Sequence, residues 1–346
     1  MKKRMVALLC AGLVAASLAG CSSKKADAPA EPKATEAAGS EAAGSEAATE
    51  AAKANTDFPK KNIKIIVPYD AGGGVDITTR ILAEAAGKDY FNGHSLIVEN
   101  MAGGGAVIGQ TAVANADPDG YTLLAYTSAV VNNPLLKDVT FTLDSFKTLG
   151  MVCFDPEILV VPPNSPYKTW DEFVAYAKEN TVKVATPGHS TSHHIAAIQL
   201  AKEYGLKFEY LHNDSASVQM QQLMGGHCDA AMMAAGETVS QIGDGTIIGL
   251  AVGAEERVAD IPDVPTFLEL GGTMVNGAFR GYACPDDVYQ VLCEEFDKIA
   301  TSDKFITGMK DAAIPYSYKN AADFQAYANQ CYKDIEALVP ELKGSK

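Results

Sequence analysis

The pattern of apolar and polar residues after residue 58 predicts strands and helices in alternation. Short β-branched or continuous apolar runs, typical of buried strands, are followed by stretches whose apolar residues recur every three or four positions, typical of helices. The predicted strands span 63–67, 95–99, 122–126, 158–161, 182–185, 208–211, 230–233 and 248–252. The predicted helices span 76–87, 107–115, 170–179, 192–204 and 217–224. This order predicts an α/β fold of mostly parallel sheets with helices on both faces, and ligands beyond the carboxyl ends of the strands.

The first predicted strand leads into its helix through three consecutive glycines, Gly72, Gly73 and Gly74. Glycine has no Cβ, so the backbone can come within hydrogen-bond reach of a ligand. The first-turn N–H groups of the helix carry a partial positive charge that suits an anion. We therefore expect an anion site at this loop. Asp76 is an N-cap or first-turn acid with Arg80 four residues on, so the two side chains either form a local ion pair or contact the ligand.

A second loop with similar chemistry spans residues 184–194. It runs from a predicted strand into a predicted helix through Gly188, Ser190 and Thr191, so it supplies a second helix N-terminus, here with hydroxyl donors. Two facing helix ends, one from each lobe, would clamp a molecule that carries a carboxylate at one or both ends.

The N-terminal segment predicts where this site operates. Basic residues at 2–4 precede an apolar run at 5–18 and small residues that end at Cys21. The apolar run is shorter than the ~20 residues a membrane span needs. We interpret residues 1–21 as a lipoprotein signal peptide, with Cys21 as the lipid-bearing first residue of a protein anchored on the extracytoplasmic face of the cell membrane. Residues 22–57, rich in Ala, Glu, Ser and Gly, predict a disordered tether.

The charge of the chain limits its partners. The formal net charge is −15 over 346 residues, and the predicted signal peptide would remove basic residues from it. Nucleic acid is therefore not an expected partner, because phosphate contacts need a basic surface. An anion site on such an acidic protein has to be made locally, by helix ends and backbone N–H groups.

The cysteines that follow Cys21 predict buried thiols. They are odd in number and have no CxxC spacing, so one or two disulfides remain an alternative outside the cell. They are Cys153, Cys228, Cys284, Cys293 and Cys331.

Three histidines in the second loop raise the question of a metal. His189 and His193 lie four residues apart, but the loop offers neither paired cysteines nor a fixed carboxylate, so we expect no metal site. His194 is expected to hydrogen-bond the ligand or cap the loop, and His193 is expected to be exposed.

The glycine motifs do not match those of enzymes. A dinucleotide-binding GxGxxG pattern that starts at Gly103 would need glycine where the chain has Ile108, and no glycine run continues into a phosphate-binding GKS or GKT. A GxSxG elbow around Ser190 would need glycine at Ser192. We therefore expect neither an enzyme nor a cofactor.

Taken together and in order, several segments resemble the Bug-type extracytoplasmic receptors of tripartite tricarboxylate transporters. The resemblance covers essentially the whole chain after residue 58. It rests on Ile66-Val67-Pro68-Tyr69, Ala71-Gly72-Gly73-Gly74, Val98-Glu99-Asn100, Gly103-Gly104-Gly105, Pro118-Asp119-Gly120-Tyr121-Thr122, Thr127-Ser128, Gly188 to His194, Leu223-Met224-Gly225-Gly226 and Ile261-Pro262-Asp263-Val264-Pro265.

The resemblance implies a two-lobe, type II periplasmic-binding-protein-like fold with the ligand in the interlobe cleft. Residues 58–159 would form lobe 1, residues 160–280 lobe 2, and residues 281–346 would return to lobe 1. Such a receptor is a monomer that hands a small carboxylate to a membrane permease with large and small subunits. The implied ligand contacts are Tyr69, Ala71, Gly72, Gly73, Gly74, Asp76, Thr127 and Ser128 in lobe 1, and Gly188, Ser190, Thr191 and His194 in lobe 2.

Two departures from the family pattern leave the ligand class open. The chain has His212-Asn213-Asp214 and Gly236-Glu237 where many relatives carry other residues. The carboxylates of Asp214 and Glu237 would repel a diacid, bind the ammonium group of an amino acid, or lie solvated at the rim. We include both in the expected ligand-binding set. Amino-acid or other zwitterion binding is thus one alternative, and presentation of the ligand to a sensor kinase is another.

Overall fold

A computed structural model describes residues 58–285 and 289–342. The predicted signal peptide, Cys21 and the tether lie outside these residues. Within the described part of the chain, ten strands form a continuous sheet in the order β2-β1-β3-β9-β4-β7-β5-β6, with β8 and β10 also paired to β4. The strands are β1 (Ile63–Val67), β2 (Leu96–Asn100), β3 (Thr122–Thr127), β4 (Lys147–Val161), β5 (Val182–Thr186), β6 (Phe208–His212), β7 (Ala230–Ala234), β8 (Ile248–Val252), β9 (Gly277–Cys284) and β10 (Tyr316–Asn320).

Helices cover this sheet and begin directly after several of its strands. They are α1 (Gly74–Ala86), α2 (Val107–Ala114), α3 (Ser128–Leu136), α4 (Trp170–Glu179), α5 (Ser192–Tyr204), α6 (Ala216–Met224), α7 (Val239–Gly243), α8 (Tyr289–Ala300), α9 (Asp303–Asp311) and α10 (Ala321–Leu342). Short 3-10 turns lie at Phe91–Gly93, Leu143–Ser145 and Ala235–Glu237. None of the helices in the described ranges combines the length and apolar content that crossing a membrane requires.

The long strand β4 divides the sheet into two lobes. Its residues 147–156 pair with β9, whereas residues 157–161 pair with β7 and β8. Lobe 1 contains β1, β2, β3, β9, β10 and the first part of β4, and lobe 2 contains β5 to β8 and the end of β4. The chain crosses between lobes near Pro156 and again before Gly277. The two-lobe α/β fold implied by the resemblance is confirmed.

Parallel pairing is restricted to the outer strands of each lobe. The pairs of β1 with β2 and β3, and of β5 with β6 and β7, are parallel, as the alternating pattern predicts. Every antiparallel pair involves β4 or β9. The strands that connect the lobes therefore run against the parallel strands and form the floor of the cleft.

Each lobe has its own buried apolar core. In lobe 1, Tyr126 packs edge-on against Phe324 of α10 at 5.2 Å between ring centroids, which ties the C-terminal helix to the first sheet. In lobe 2, Trp170 packs edge-on against Phe267 at 5.2 Å. Cys153 and Cys228 are buried free thiols, as predicted, whereas Cys293 on α8 and Cys331 on α10 are only partly buried. Burial raises the pKa of Cys153 to about 12 and that of Cys228 to about 11, so neither is a reactive thiolate at neutral pH.

Candidate functional site

A small cavity of about 40 Å³ lies between the lobes. A cavity of this size holds roughly three water molecules, so the lobes have to lie further apart than they do here to admit and hold a larger solute. Residues of both lobes and of the connecting strand β9 line it. They are Tyr69, Gly73, Gly74, Val75, Thr127, Ser128 and Ala129; Pro187, Thr191, Ser192, His193, Ser215, Ala216 and Glu237; and Ala278, Phe279 and Arg280.

The N-termini of four helices meet at this cavity. The first residues of α1 and α3 line it from lobe 1, and those of α5 and α6 line it from lobe 2. Each helix end carries the equivalent of roughly half a positive charge. The sequence predicts two of these ends, at α1 and α5; the other two add a further donor set on each side. The four helix ends therefore place partial positive charges around this cavity in an acidic protein.

The two lobe 1 helices leave their first N–H groups without side-chain caps. Neither Gly73, which precedes α1, nor Thr127, which precedes α3, accepts a capping hydrogen bond through its side chain. The Thr127 hydroxyl instead bonds the Tyr69 hydroxyl at 3.2 Å. The Oγ of Ser128, a residue only 8% exposed, has no hydrogen-bond partner within the described part of the chain. Lobe 1 thus presents to the cavity two helix ends without side-chain caps and one hydroxyl that has no hydrogen-bond partner among the described residues.

The lobe 2 helices are capped, and each cap satisfies one N–H group of the first turn. Thr191 Oγ1 accepts a hydrogen bond from the N–H of His194 at 3.4 Å, and Ser215 Oγ accepts one from the N–H of Val218 at 3.2 Å. A side-chain cap of this kind satisfies one donor of the first turn. The N–H groups of Ser192 and Ala216 precede the capped ones and lie at the cavity wall.

The Asp76 side chain fixes the conformation of the glycine loop through hydrogen bonds. Its Oδ2 accepts hydrogen bonds from the N–H of Gly72 and from Arg80 Nε, both at 2.9 Å, and its Oδ1 accepts one from Asn100 Nδ2 at 2.9 Å. Burial opposes ionisation of this carboxyl, but the hydrogen bonds from Arg80 and Gly72 outweigh it and lower its pKa. The local-pair interpretation of Asp76 and Arg80 is confirmed, and Asp76 does not line the cavity.

His194 has a comparable bracing position in the second loop. Ser190 has a positive φ of 66°, and its N–H donates to His194 Nδ1 at 3.1 Å. Thr191 Oγ1 donates to the Gly188 carbonyl at 2.9 Å. His194 therefore caps the loop, which is one of its two expected roles, and its ring does not line the cavity. The described residues contain no group of three or more His, Cys, Asp or Glu side chains placed to hold a metal ion.

Contacts on both sides of the cavity hold the lobes together. On one side, Lys137 Nζ of lobe 1 donates to the His189 carbonyl of lobe 2 at 2.8 Å and to the Gly104 carbonyl at 2.7 Å. On the other side, Ser217 Oγ of lobe 2 donates to the Ala71 carbonyl of lobe 1 at 3.1 Å. The structure is therefore a closed form of the cleft.

The expected ligand-binding residues divide into two groups in the structure. Seven of them line the cavity: Tyr69, Gly73, Gly74, Thr127, Ser128, Thr191 and Glu237. The others support the loops or join the lobes outside it: Ala71, Gly72, Asp76, Gly188, Ser190, His194 and Asp214. Asp214 is exposed, and only its carbonyl joins the lobes, by accepting a hydrogen bond from the Asp70 N–H at 3.3 Å.

A buried charged cluster at the cleft floor was not predicted. Arg280 Nη2 donates to Glu237 Oε1 at 2.9 Å, and Arg280 Nη1 lies 3.3 Å from Asp155 Oδ2. His193 Nδ1 lies 2.5 Å from Glu157 Oε2, and His193 Nε2 lies 3.5 Å from Glu237 Oε2. The expectation that His193 is exposed is wrong: it is 4% exposed, because the first turn of α5 faces these acidic residues at the lobe junction.

The charged groups of this cluster shift one another's pKa values and so determine which of them are ionised at neutral pH. Burial opposes ionisation of Glu237, but the hydrogen bond from His193 and the charge of Arg280 outweigh it and lower its pKa to about 2. Burial also opposes protonation of His193, but Glu157 raises its pKa to about 10. Burial raises the pKa of Asp155 to about 6, against the charge of Arg280. At neutral pH, His193 and Glu237 are both ionised.

Comparison with known proteins decides the family. A family model described as "Tripartite tricarboxylate transporter family receptor" matches residues 78–343. The chain belongs to this family. The receptor is 31% identical over 310 residues to the "UPF0065 protein in gbd 5'region" of Cupriavidus necator, covering 84% of this chain and 90% of that protein.

Solved structures agree with this assignment. The receptor is similar to the periplasmic binding protein BugD, with 26% identity, a TM-score of 0.77, and coverage of 82% of this chain and 98% of BugD. MatC of Rhodopseudomonas palustris, solved with bound malate, is 22% identical with a TM-score of 0.75 over 82% of this chain and 100% of MatC, a likeness of fold. The receptor is thus a periplasmic-type solute-binding protein and not an enzyme.

Proposed function

We propose that the receptor captures a small carboxylate between its lobes and delivers it to a tripartite tricarboxylate-type permease. The observation that carries this proposal is the meeting of four helix N-termini at one buried cavity. The two lobe 1 helices have no side-chain caps there, and the buried Ser128 hydroxyl has no partner among the described residues. A carboxylate would satisfy these donors and would interact favourably with the helix dipoles.

The charge of the protein supports a local anion site. With a formal net charge of −15, the surface as a whole repels small anions, so the attraction has to come from the cavity itself. The fold neighbour MatC holds malate, a dicarboxylate, which is the ligand chemistry proposed for this receptor. The cavity also has an apolar side, formed by Val75, Ala278 and Phe279, against which the carbon skeleton of such a ligand can pack.

The state of Glu237 argues for a carboxylate without an ammonium group. Its Oε1 accepts from Arg280, and its Oε2 lies near His193 and accepts from the Ala234 N–H at 3.3 Å. Both oxygens are therefore occupied by donors, and two of these donors are cationic. An ammonium group would have to displace one of them. Asp214, the other acid considered for that role, is exposed and does not line the cavity.

Closure of the lobes provides the mechanism of capture and delivery. A ligand that bridges the helix ends of both lobes binds the closed form better than the open form, and this difference in affinity shifts the population to the closed form. The permease would then recognise the closed receptor. We retain presentation to a sensor kinase as the alternative output, since it uses the same closure.

We further propose that the receptor is a lipoprotein on the extracytoplasmic face of the cell membrane, attached through Cys21. The basic, apolar and small-residue order of residues 1–21 supports this location. Mass spectrometry of the mature N-terminus should find a lipid on Cys21, and Cys21→Ala should move the protein out of the membrane fraction. Retention of that variant in the membrane fraction would contradict the anchor.

A thermal-shift screen tests the ligand class. Co-purified ligand is first removed, and the protein is then heated with dicarboxylates, tricarboxylates, aromatic acids, amino acids and sugars. A ligand present at 100 times its Kd stabilises the folded protein by about 2.7 kcal/mol. We expect a rise in Tm with carboxylates that have no ammonium group, and no rise with amino acids or sugars. A rise with sugars alone, or with none of the compounds, would contradict the proposal.

Uptake measurements test the output. Cells that lack the receptor should lose uptake of the radiolabelled carboxylate found in the screen, and the intact gene should restore it. Unchanged uptake combined with loss of a transcriptional response to the same compound would favour the sensor-kinase alternative.

A further inference from the structure

Arg280 is one of the residues that line the cavity between the lobes. Arg280 is 2% exposed and sits on β9, where it is the register partner of Thr127, the residue that precedes α3. A Cβ placed on Gly74, the first residue of α1, would lie 2.5 Å from Arg280 Nη2 and 2.8 Å from its Cζ. The guanidinium therefore adjoins the N-terminus of α1, and its strand adjoins the N-terminus of α3.

A cation in this position is electrostatically unfavourable by itself. Helix N-termini attract anions and repel cations, so Arg280 requires negative charge around it. Protein groups supply part of it: Glu237 bonds Nη2 at 2.9 Å, and Asp155 lies 3.3 Å from Nη1. Nη1 also donates to Cys153 Sγ at 3.4 Å. The two Nη groups are thus held by neighbours on β4 and on the 3-10 turn.

The Nε–H of Arg280 is the exception. It is buried and has no hydrogen-bond partner among the described residues, and the same holds for the Ser128 Oγ on the neighbouring helix end. A buried donor without a partner costs roughly 1–3 kcal/mol, and more when it is charged. Arg280 and Ser128 both line the same cavity, so an acceptor bound between the lobes is the candidate partner for both donors.

We propose that Arg280 contacts the carboxylate of the bound solute directly through its Nε–H, and that Asp155 and Glu237 act as positioning residues for its guanidinium. This inference rests on the proposed function and names the charged group that the carboxylate meets. Backbone N–H groups and hydroxyls then supply the remaining hydrogen bonds. Arginine suits this role because its planar guanidinium can be held by some N–H groups while another binds a carboxylate oxygen.

The role of Asp155 makes this inference measurable by pH. Asp155 lies on β4 and faces Arg280. The other groups around it are Glu237 and the Gly236 N–H on the 3-10 turn, and Glu157 and Cys153 on β4 itself. Its pKa, raised by burial to about 6, places its protonation within an accessible range. When Asp155 is neutral, less of the Arg280 charge is compensated, so an anionic ligand should bind more tightly.

Titration calorimetry with malate, adipate, citrate and benzoate tests the contact. The variant is Arg280→Lys, which keeps the charge and loses the Nε–H, and the matched control is Arg257→Lys, at an exposed arginine that pairs with Glu269 on lobe 2. Among the four acids, we follow the one that the wild type binds most tightly. We expect Arg280→Lys to bind it at least tenfold more weakly than the wild type does, and Arg257→Lys to bind it as the wild type does. A folded Arg280→Lys whose affinity is within twofold of the wild type overturns the contact. A ligand-bound crystal structure in which the Arg280 Nε–H contacts only a water, and not the carboxylate, would overturn it as well.

A second measurement decides the matter if Arg280→Lys does not fold. The affinities of the wild type and of Asp155→Asn are measured between pH 5.5 and 8 and compared as a ratio. Protonation of the ligand affects both affinities equally, so it cancels in this ratio. We expect the advantage of Asp155→Asn to shrink as the pH falls, because Asp155 in the wild type then becomes neutral too. A constant ratio overturns the inference. A wild type that binds none of the four acids overturns the proposed function itself, whereas binding that Arg280→Lys leaves unchanged overturns the Arg280 contact alone.

Discussion

Gly74 offers a one-atom perturbation of the closed cleft. A Cβ at this position would lie 2.4 Å from Glu237 Oε1 and 2.5 Å from Arg280 Nη2. Ordinary contacts between such atoms are about 3.5 Å, so each polar atom would have to move by roughly 1 Å. Neither is free to do so, because the two are joined by a hydrogen bond of 2.9 Å. Gly74→Ala should therefore strain the closed form.

The magnitude follows from where the clash occurs. Overpacking a buried site by one methyl group costs about 1–3 kcal/mol, and each 1.4 kcal/mol is a tenfold change in affinity. Glu237 belongs to lobe 2 and Gly74 to lobe 1, so the part of this cost that the Glu237 contact causes arises only on closure. The part that Arg280 causes, from β9 of lobe 1, is present in the open form as well. Alanine is otherwise favoured over glycine in a helix by about 0.5–1 kcal/mol, which keeps the fold intact. We expect a tenfold to hundredfold loss of carboxylate affinity with a change of only a few degrees in Tm.

A glycine outside the cleft supplies the matched control. A Cβ on Gly243, the last residue of α7, would find no atom within 4 Å. Gly243→Ala should bind within about threefold of the wild type, although both variants add the same atom to a glycine at a helix end. Titration calorimetry measures the affinities, and small-angle scattering reports whether ligand still compacts the protein. Equal affinity in the two alanine variants would refute the assignment of Gly74 to the closed cleft.

Three further predictions concern the donors, the closure and the pH response. Ser128→Ala should weaken carboxylate binding roughly tenfold or more by calorimetry, since a hydrogen bond to a charged group is worth about 1.5–3 kcal/mol; unchanged affinity would remove Ser128 from the site. Lys137→Met should lower affinity several-fold and reduce compaction in scattering, because it removes the tie to the His189 carbonyl; full compaction at the original affinity would contradict this. His193 has a folded pKa of about 10 against 6.5 unfolded, so its stabilisation is complete below pH 6.5 and lost as the pH rises through 10. The Tm advantage of the wild type over His193→Gln should therefore shrink between pH 7 and 10.5, and a constant gap would show that His193 does not titrate there.

The lobe sheets and the two loops could be predicted because their signals are local. The strand at β8 and the helices α4 and α5 match the predicted bounds of 248–252, 170–179 and 192–204. Their apolar periods, and the Thr191 cap before α5, lie within the same short stretch of chain.

The connecting strand β4 and the helix α3 lacked such signals. Sequence analysis predicts only the last four residues of β4, because Gly150 and Pro156 interrupt it and both are unfavourable within strands. Helix α3 has buried residues around most of its surface and contains Pro134, so it shows no amphipathic period. The third helix end at the cavity was missed for this reason, although Thr127 and Ser128 were expected at the site.

The charged cluster could not be predicted, because its members are distant in sequence. Glu157 and His193 are 36 positions apart, and Glu237 and Arg280 are 43 apart. Only the fold brings the start of α5, the 3-10 turn after β7, and the middles of β4 and β9 to the same point. A lone arginine within an apolar strand was the one available signal for Arg280, because such a residue is buried only with partners.

A crystal structure with the carboxylate that most raises the Tm tests the central claim most directly. The account predicts that the ligand lies between the N-termini of α1, α3, α5 and α6. One carboxylate should lie within hydrogen-bond distance of Ser128 Oγ and of the first N–H groups of α1 or α3. A ligand bound elsewhere, or one in this cavity whose carboxylate points away from the helix ends into solvent, would contradict it.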